Sequence, residues 1–295
     1  MATNRSTFDR LLAAGEIDIA AGPLFQRRLD ALPHLDAGRL EGMLLGLAIG
    51  DALGRPGAGR YPEERRRQLG EIRDYLPNPL AEGRTVGLPS DETQLAFWTL
   101  EQLLRDGALR PHRLMARLAA GRVFGGGPTT REALEAGRAG AMSWERCGLK
   151  AAGSGALART APLLLPHLAG GGTDLWIDVT LATLLTHNDS AAIAAGLGWT
   201  AILWQLLAMD APPPPEWWGE AFLEATSGLE VDPMYRMTGP AFQDAGRDTL
   251  GGHLTKALAR ATAEGWDTAT ACASWGSSSH LLEALPSVLW ILSRH

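Results

Sequence analysis

Apolar residues recur at three- and four-residue spacing from Arg39 onward, in windows at 39–54, 90–105, 111–121, 130–140, 174–186, 190–209, 217–227, 250–264 and 279–293. Each window gathers its Leu, Ala and Ile on one side of a 3.6-residue turn, which predicts a helix. The two-residue alternation of a half-buried strand persists nowhere beyond a few residues. Breakers fall between the windows: Pro77-Asn78-Pro79, Gly125-Gly126-Gly127-Pro128, Gly170-Gly171-Gly172 and Pro212 to Pro215. Proline lacks an amide donor and glycine forfeits helix propensity, so helices stop there. The pattern predicts one all-α domain over residues 39–295, preceded by an N-terminal extension of residues 1–38. In that extension Phe8, Leu11 and Leu12 predict one short amphipathic turn, and whether it packs or projects as an arm stays open.

Composition narrows the class. With 45% hydrophobic and 20% charged residues the 295-residue chain can bury a core, which excludes global disorder. Thirty-three acidic against 27 basic residues leave a net charge of -6, without the cationic footprint that duplex nucleic acid demands. The one basic run, Arg65-Arg66-Arg67, follows Glu63-Glu64 and reads as a solvated face. Cys147 and Cys272 lack CxxC spacing, so neither a disulfide framework nor a zinc cage is expected. Met1 to Arg10 shows no apolar signal core, and stretches such as Met43–Ile49 and Ala201–Met209 fall short of the roughly 18 residues of a membrane span. A soluble, cytoplasmic protein is expected.

Four segments carry candidate chemistry. Gly42, Gly46, Gly50 and Gly54 put a bare stripe on the first window, open to helix packing or to a ligand, and Asp51 beside it must face a cleft or be paired. At Leu88-Pro89-Ser90-Asp91-Glu92-Thr93, Ser90 can cap a helix whose first turn holds Asp91 and Glu92. The same oxygens can instead ligate a hard divalent cation. In Ala152-Gly153-Ser154-Gly155-Ala156-Leu157-Ala158-Arg159 the glycines form either a plain turn or a loop whose amides face an anion. In Thr186-His187-Asn188-Asp189-Ser190, Asn188 or Asp189 can cap the next helix, and His187 is either incidental or at a cleft edge.

In this order, GLAIGDALG, PSDETQLA, GSGALAR and THND resemble the ADP-ribosylglycohydrolase family, and the resemblance runs from about Arg39 to the end of the chain. It implies a compact, single-domain, multi-helix orthogonal bundle that hydrolyses the bond between C1 of ADP-ribose and a protein side chain, arginine in the first instance. The partner implied is ADP-ribose or an ADP-ribosylated protein. The cofactor implied is Mg²⁺ or Mn²⁺, two ions in an intact member. By that similarity Ser90, Asp91 and Glu92 ligate metal, with Asp91 or Glu92 as the catalytic base. Asp51, the loop Gly125, Gly126, Gly127 with Thr129 and Thr130, the loop Gly153, Ser154, Gly155, Ala156, and His187 bind substrate.

The chain departs from the family pattern at Glu92, where a second aspartate is usual, at Ser154, where Asn is common, and at Ala158, where Met is common. Family members also carry an acidic metal motif after a helix that Leu281–Leu292 resembles, so the chain is expected to lack that motif. Asp248-Thr249 and Asp267-Thr268 precede the helix and are poor substitutes. The alternative function implied is a degenerate homologue that holds ADP-ribose or a modified partner without cleaving it.

Overall fold

The computed structural model describes residues 3–78, 81–140, 142–230, 232, 234–237 and 239–295; Pro79 of the first breaker lies outside them. Twelve α-helices are found among these residues, with no strand and only isolated bridges. They are α1 (Asn4–Ala13), α2 (Ala37–Gly54), α3 (Pro62–Leu69), α4 (Asp91–Asp106), α5 (Pro111–Ala120), α6 (Pro128–Ala139), α7 (Asp174–Leu184), α8 (Ser190–Ala208), α9 (Trp217–Thr226), α10 (Leu250–Ala263), α11 (Thr268–Trp275) and α12 (Leu281–Leu292).

Helix α8 organises the rest, because it is apolar on every side and a helix of that kind is stable only when surrounded. Ile193, Leu197 and Trp204 face a core shared with α1, α4, α5 and α7, while Ala191, Ala195 and Ile202 face a second core built by α9 to α12. At 19 residues α8 is long and apolar enough to cross a membrane, yet it is the buried central helix of this domain. Glycine lets α9 come close: a Cβ at Gly198 would lie 2.6 Å from the Phe222 ring. The start of α8 is capped by Asp189, whose Oδ1 accepts from the Ala191 and Ala192 amides.

The N-terminal segment packs on the domain. Its helix is ten residues long, longer than the single turn expected, with Phe8 and Leu11 buried in the first core. Asn4 donates to Asp178 Oδ1 at 2.7 Å, the Phe8 and Phe25 rings stack at 4.9 Å, and Leu29 exchanges two backbone hydrogen bonds with Gly172. The segment is therefore held along its length by apolar contacts, an aromatic pair and backbone pairing.

Two further helices escape the sequence pattern. Helix α3 is charged all round, with Glu63 and Glu64 in its first turn and Arg66 and Arg67 in its last, which suits the helix dipole at both ends. Helix α11 is short and rich in Ala and Thr, and begins at Asp267, whose side chain caps it. Thr249 caps α10 in the same way, while Asp248 pairs with Lys256, so the two Asp-Thr dipeptides are structural. Both cysteines are free thiols.

Candidate functional site

Helices α2 and α4 pack together and bring Asp51 against the start of α4. Ser90 is the N-cap residue, but its side chain accepts no capping hydrogen bond from the amides of its own helix. Asp51 does the capping from outside: its Oδ2 accepts from the Ser90 amide at 2.6 Å, the Thr93 amide at 3.2 Å and the Thr93 hydroxyl at 2.7 Å. The expectation that Ser90 caps is thus corrected. An anion from a neighbouring helix satisfies the orphan amides better than a neutral hydroxyl, because it is charged and lies at the positive end of the dipole.

Freed from capping, the Ser90 hydroxyl lies 2.7 Å from Asp51 Oδ1 and 2.5 Å from Glu92 Oε2. It has one proton for two carboxylates. Asp91 is 5% exposed, and its pKa is pushed up to about 7 by burial, then by the charge and hydrogen bond of Glu92, with the Asp51 charge adding to it. The group is therefore one positive charge short: it takes either a proton or a cation. Its donors are all hard oxygens, which fits a divalent ion such as Mg²⁺. Among the described residues no three Asp, Glu, His or Cys side chains already meet at an ion-sized point.

The glycine loop before α6 joins this group. A Cβ at Gly126 would come 3.8 Å from Asp91 Oδ2, and Gln94 of α4 fixes the loop by accepting from the Phe124 amide at 2.8 Å. Gly125 has φ +84°, a left-handed conformation suited to glycine, and the Arg55 guanidinium covers it, with Nη2 2.7 Å from where a Cβ would be. Gly127 ends the loop and Thr129 sits half-buried in the first turn of α6.

The second loop is also short of room. Ser154 opens a 3-10 helix, Ser154–Arg159, in which Ala156 is buried, and the Ser154 amide donates to the Ser279 carbonyl at 2.9 Å. That amide is committed to the protein and does not face an anion. A Cβ at Gly153 would lie 3.2 Å from His187 Nε2, and one at Gly155 would lie 2.9 Å from Thr130 Oγ1 and 3.4 Å from His187 Cε1. His187 is 1% exposed, and its pKa is held down at about 3 by burial and by the nearby Arg159 charge. It is neutral and built in, not incidental.

The structure thus joins the expected residues into one path: Asp51, Ser90, Asp91 and Glu92, then Gly126, then Thr130 beside Gly155 and His187. The stripe of Gly42, Gly46, Gly50 and Gly54 is not part of it. A Cβ at any of these would meet nothing within 4 Å, so no described element packs on that face, contrary to the helix-packing reading. Sequence reasoning passed over Arg55, Arg159 and Thr186. For Arg159 there was a signal, a lone cation in the otherwise apolar and small run from Ala156 to Leu165.

Comparison with known proteins bears on family and fold. A family model described as ADP-ribosylglycohydrolase matches residues 33–295. An uncharacterized protein of Archaeoglobus fulgidus is 29% identical over 167 residues, which is 54% of this chain and 52% of that protein. The chain therefore matches about half the length of that relative. A solved structure titled ADP-ribosylglycohydrolase-related protein complex shares the fold, with a TM-score of 0.54 and 24% identity over 86% of this chain and 87% of the other.

Proposed function

The chain belongs to the ADP-ribosylglycohydrolase family, and on that footing we propose that it is a hydrolase of ADP-ribosylated substrates that cleaves the bond between ribose C1 and a protein side chain, arginine first among the candidates. The observation that carries this reading is the hydroxyl shared by Asp51 and Glu92 beside a buried Asp91 whose proton affinity lies near neutrality. Cleaving a glycosidic bond builds positive charge at C1, and a cluster one positive charge short is suited to stabilise it. Asp91 takes the proton of the attacking water as its oxygen bonds to C1; the C1–N bond breaks and its electron pair leaves with the protonated guanidine. A side chain with a pKa near 7 is suited to that transfer.

The other residues prepare the step. Asp51 anchors the start of α4, Ser90 holds Glu92 beside it, and the loops at Gly125–Gly127 and Gly153–Ala156 bring backbone close to the sugar because they carry almost no side chain. Ser90, Asp91 and Glu92 would hold a divalent ion, which when bound orients ribose hydroxyls and acidifies water.

The test is incubation of the full chain with an ADP-ribosyl-arginine peptide and Mg²⁺. Release of ADP-ribose that vanishes in Asp91→Asn is expected. Release no greater than in that variant overturns the hydrolase, and calorimetry showing ADP-ribose bound without release assigns the site to binding alone.

A further inference from the structure

Arg159 is the most deeply buried cation among the described residues, with 0% exposure, and no carboxylate among them pairs with it. What holds it is the end of α7: Nε donates to the Ala182 carbonyl at 3.1 Å and Nη2 to the Thr183 carbonyl at 3.4 Å, where the helix dipole is negative. The same Nη2 donates to the Thr186 hydroxyl oxygen, and Thr186 Oγ1 lies 2.7 Å from His187 Nδ1. All three side chains are buried; Arg159 Nη1 has no partner among the described residues, and the atoms that join the three side chains fix the direction of the hydrogen bonds between them.

The account has one solution. A guanidinium only donates, so Thr186 Oγ1 accepts from Arg159. The Thr186 hydroxyl proton then has a single acceptor within reach among the described residues, His187 Nδ1. A hydrogen on Nδ1 would leave that hydroxyl proton buried without a partner, at a cost of about 1–3 kcal/mol. The ring hydrogen is therefore on Nε2. Among the described residues the only side-chain hydrogen bond of the ring is at Nδ1, and Nε2 lies 3.2 Å from where a Cβ at Gly153 would be.

We propose that Arg159 and Thr186 are positioning residues that lock His187 as its Nε2–H tautomer and aim a neutral N–H donor at an oxygen acceptor of the ligand lying over Gly153–Gly155. The proposal rests on reading that loop as part of the substrate site. An imidazolium there would bind any anion, whereas a fixed neutral donor selects an ether, hydroxyl or phosphoryl oxygen at one position.

The test is long-range nitrogen-15 NMR of the imidazoles in the full chain at neutral pH, with His187 assigned by its loss in His187→Gln, together with calorimetry of ADP-ribose. The expected result is a protonated Nε2 and a bare Nδ1 in the native protein and in Thr186→Ser. In Thr186→Val, where Nδ1 loses its hydroxyl partner and the ring its fixed orientation, the Nδ1 resonance shifts and ADP-ribose affinity falls about tenfold, the worth of one buried hydrogen bond. A native His187 carrying its proton on Nδ1, or charged at neutral pH, overturns the proposal even if Thr186→Val does not fold. So does an unshifted Nδ1 resonance in folded Thr186→Val, or a shifted one with unaltered ADP-ribose affinity. A correct tautomer in a native protein that binds no ADP-ribose removes the ligand half of the proposal and the substrate reading with it, while the relay itself stands.

Discussion

Acidification should destabilise the protein through His187, by an amount that follows from its burial. The ring pKa is 6.5 in an unperturbed chain and about 3 in the fold, because burial and Arg159 both oppose the charged form. Between those values the unfolded chain binds the proton and the folded one does not. Stability from this group is thus complete above the unfolded pKa and lost as pH falls toward the folded one. At about pH 4.5, two units below the unfolded value, the loss is about 3 kcal/mol. Buried Asp189 and Glu230, whose pKa values are raised, act in the opposite direction, so the total slope is not diagnostic. The difference between native protein and His187→Gln is, since glutamine does not titrate and keeps an oxygen for the Thr186 hydroxyl. Urea unfolding at about pH 7 and about pH 4.5 should show the native protein losing ~2–3 kcal/mol more than the variant. Equal losses would refute the buried neutral imidazole on which the relay depends.

Other expectations follow from the same geometry. Asp51→Ala removes the external cap of α4 and should cost about 2 kcal/mol by urea unfolding, with Asp51→Asn costing less because one acceptor oxygen remains. Magnesium chloride should raise the melting temperature of the native protein, by the equivalent of about 2.7 kcal/mol at a hundredfold excess over Kd, but not that of Asp91→Asn with Glu92→Gln; sodium chloride of equal ionic strength controls for screening. Gly125→Ala should cost about 1 kcal/mol, chiefly for the left-handed backbone, since the Arg55 side chain it meets can swing away. Leu11→Ala in α1 should cost ~2–5 kcal/mol by the same unfolding assay, which a projecting arm would not show.

Much of this architecture was legible because helices here are made by apolar period. The windows at 174–186 and 190–209 became α7 and α8 within two residues, and their ends fall where Asp189 and Gly172 interrupt the pattern. The elements that were missed have no such period. Helix α3 buries no apolar stripe and is held by charges suited to its dipole, while α11 is too short for periodicity to register. The run after Gly153, outside every helical window, forms two 3-10 segments, Ser154–Arg159 and Ala161–His167, the second holding Pro162 and Pro166, which lack the amide donors an α-helix needs.

The acidic site shows a different limit. The structure brings Asp51 against Ser90, Asp91 and Glu92, yet the local rule assigned the cap to Ser90, because a rule written on neighbouring positions cannot see a carboxylate that arrives from 39 residues away. Once Asp51 is in place, the consequences are forced. The cap brings a negative charge to the start of α4, that charge helps raise the proton affinity of Asp91, and the displaced Ser90 hydroxyl is left between two carboxylates. A helix end that is well satisfied at its amides is thereby left unsatisfied in charge. The contact that stabilises α4 and the demand for a proton or a cation are the same contact, so substitutions at Asp51 should lower stability and activity together, while Glu92→Gln, which leaves every Asp51 contact in place, should separate them.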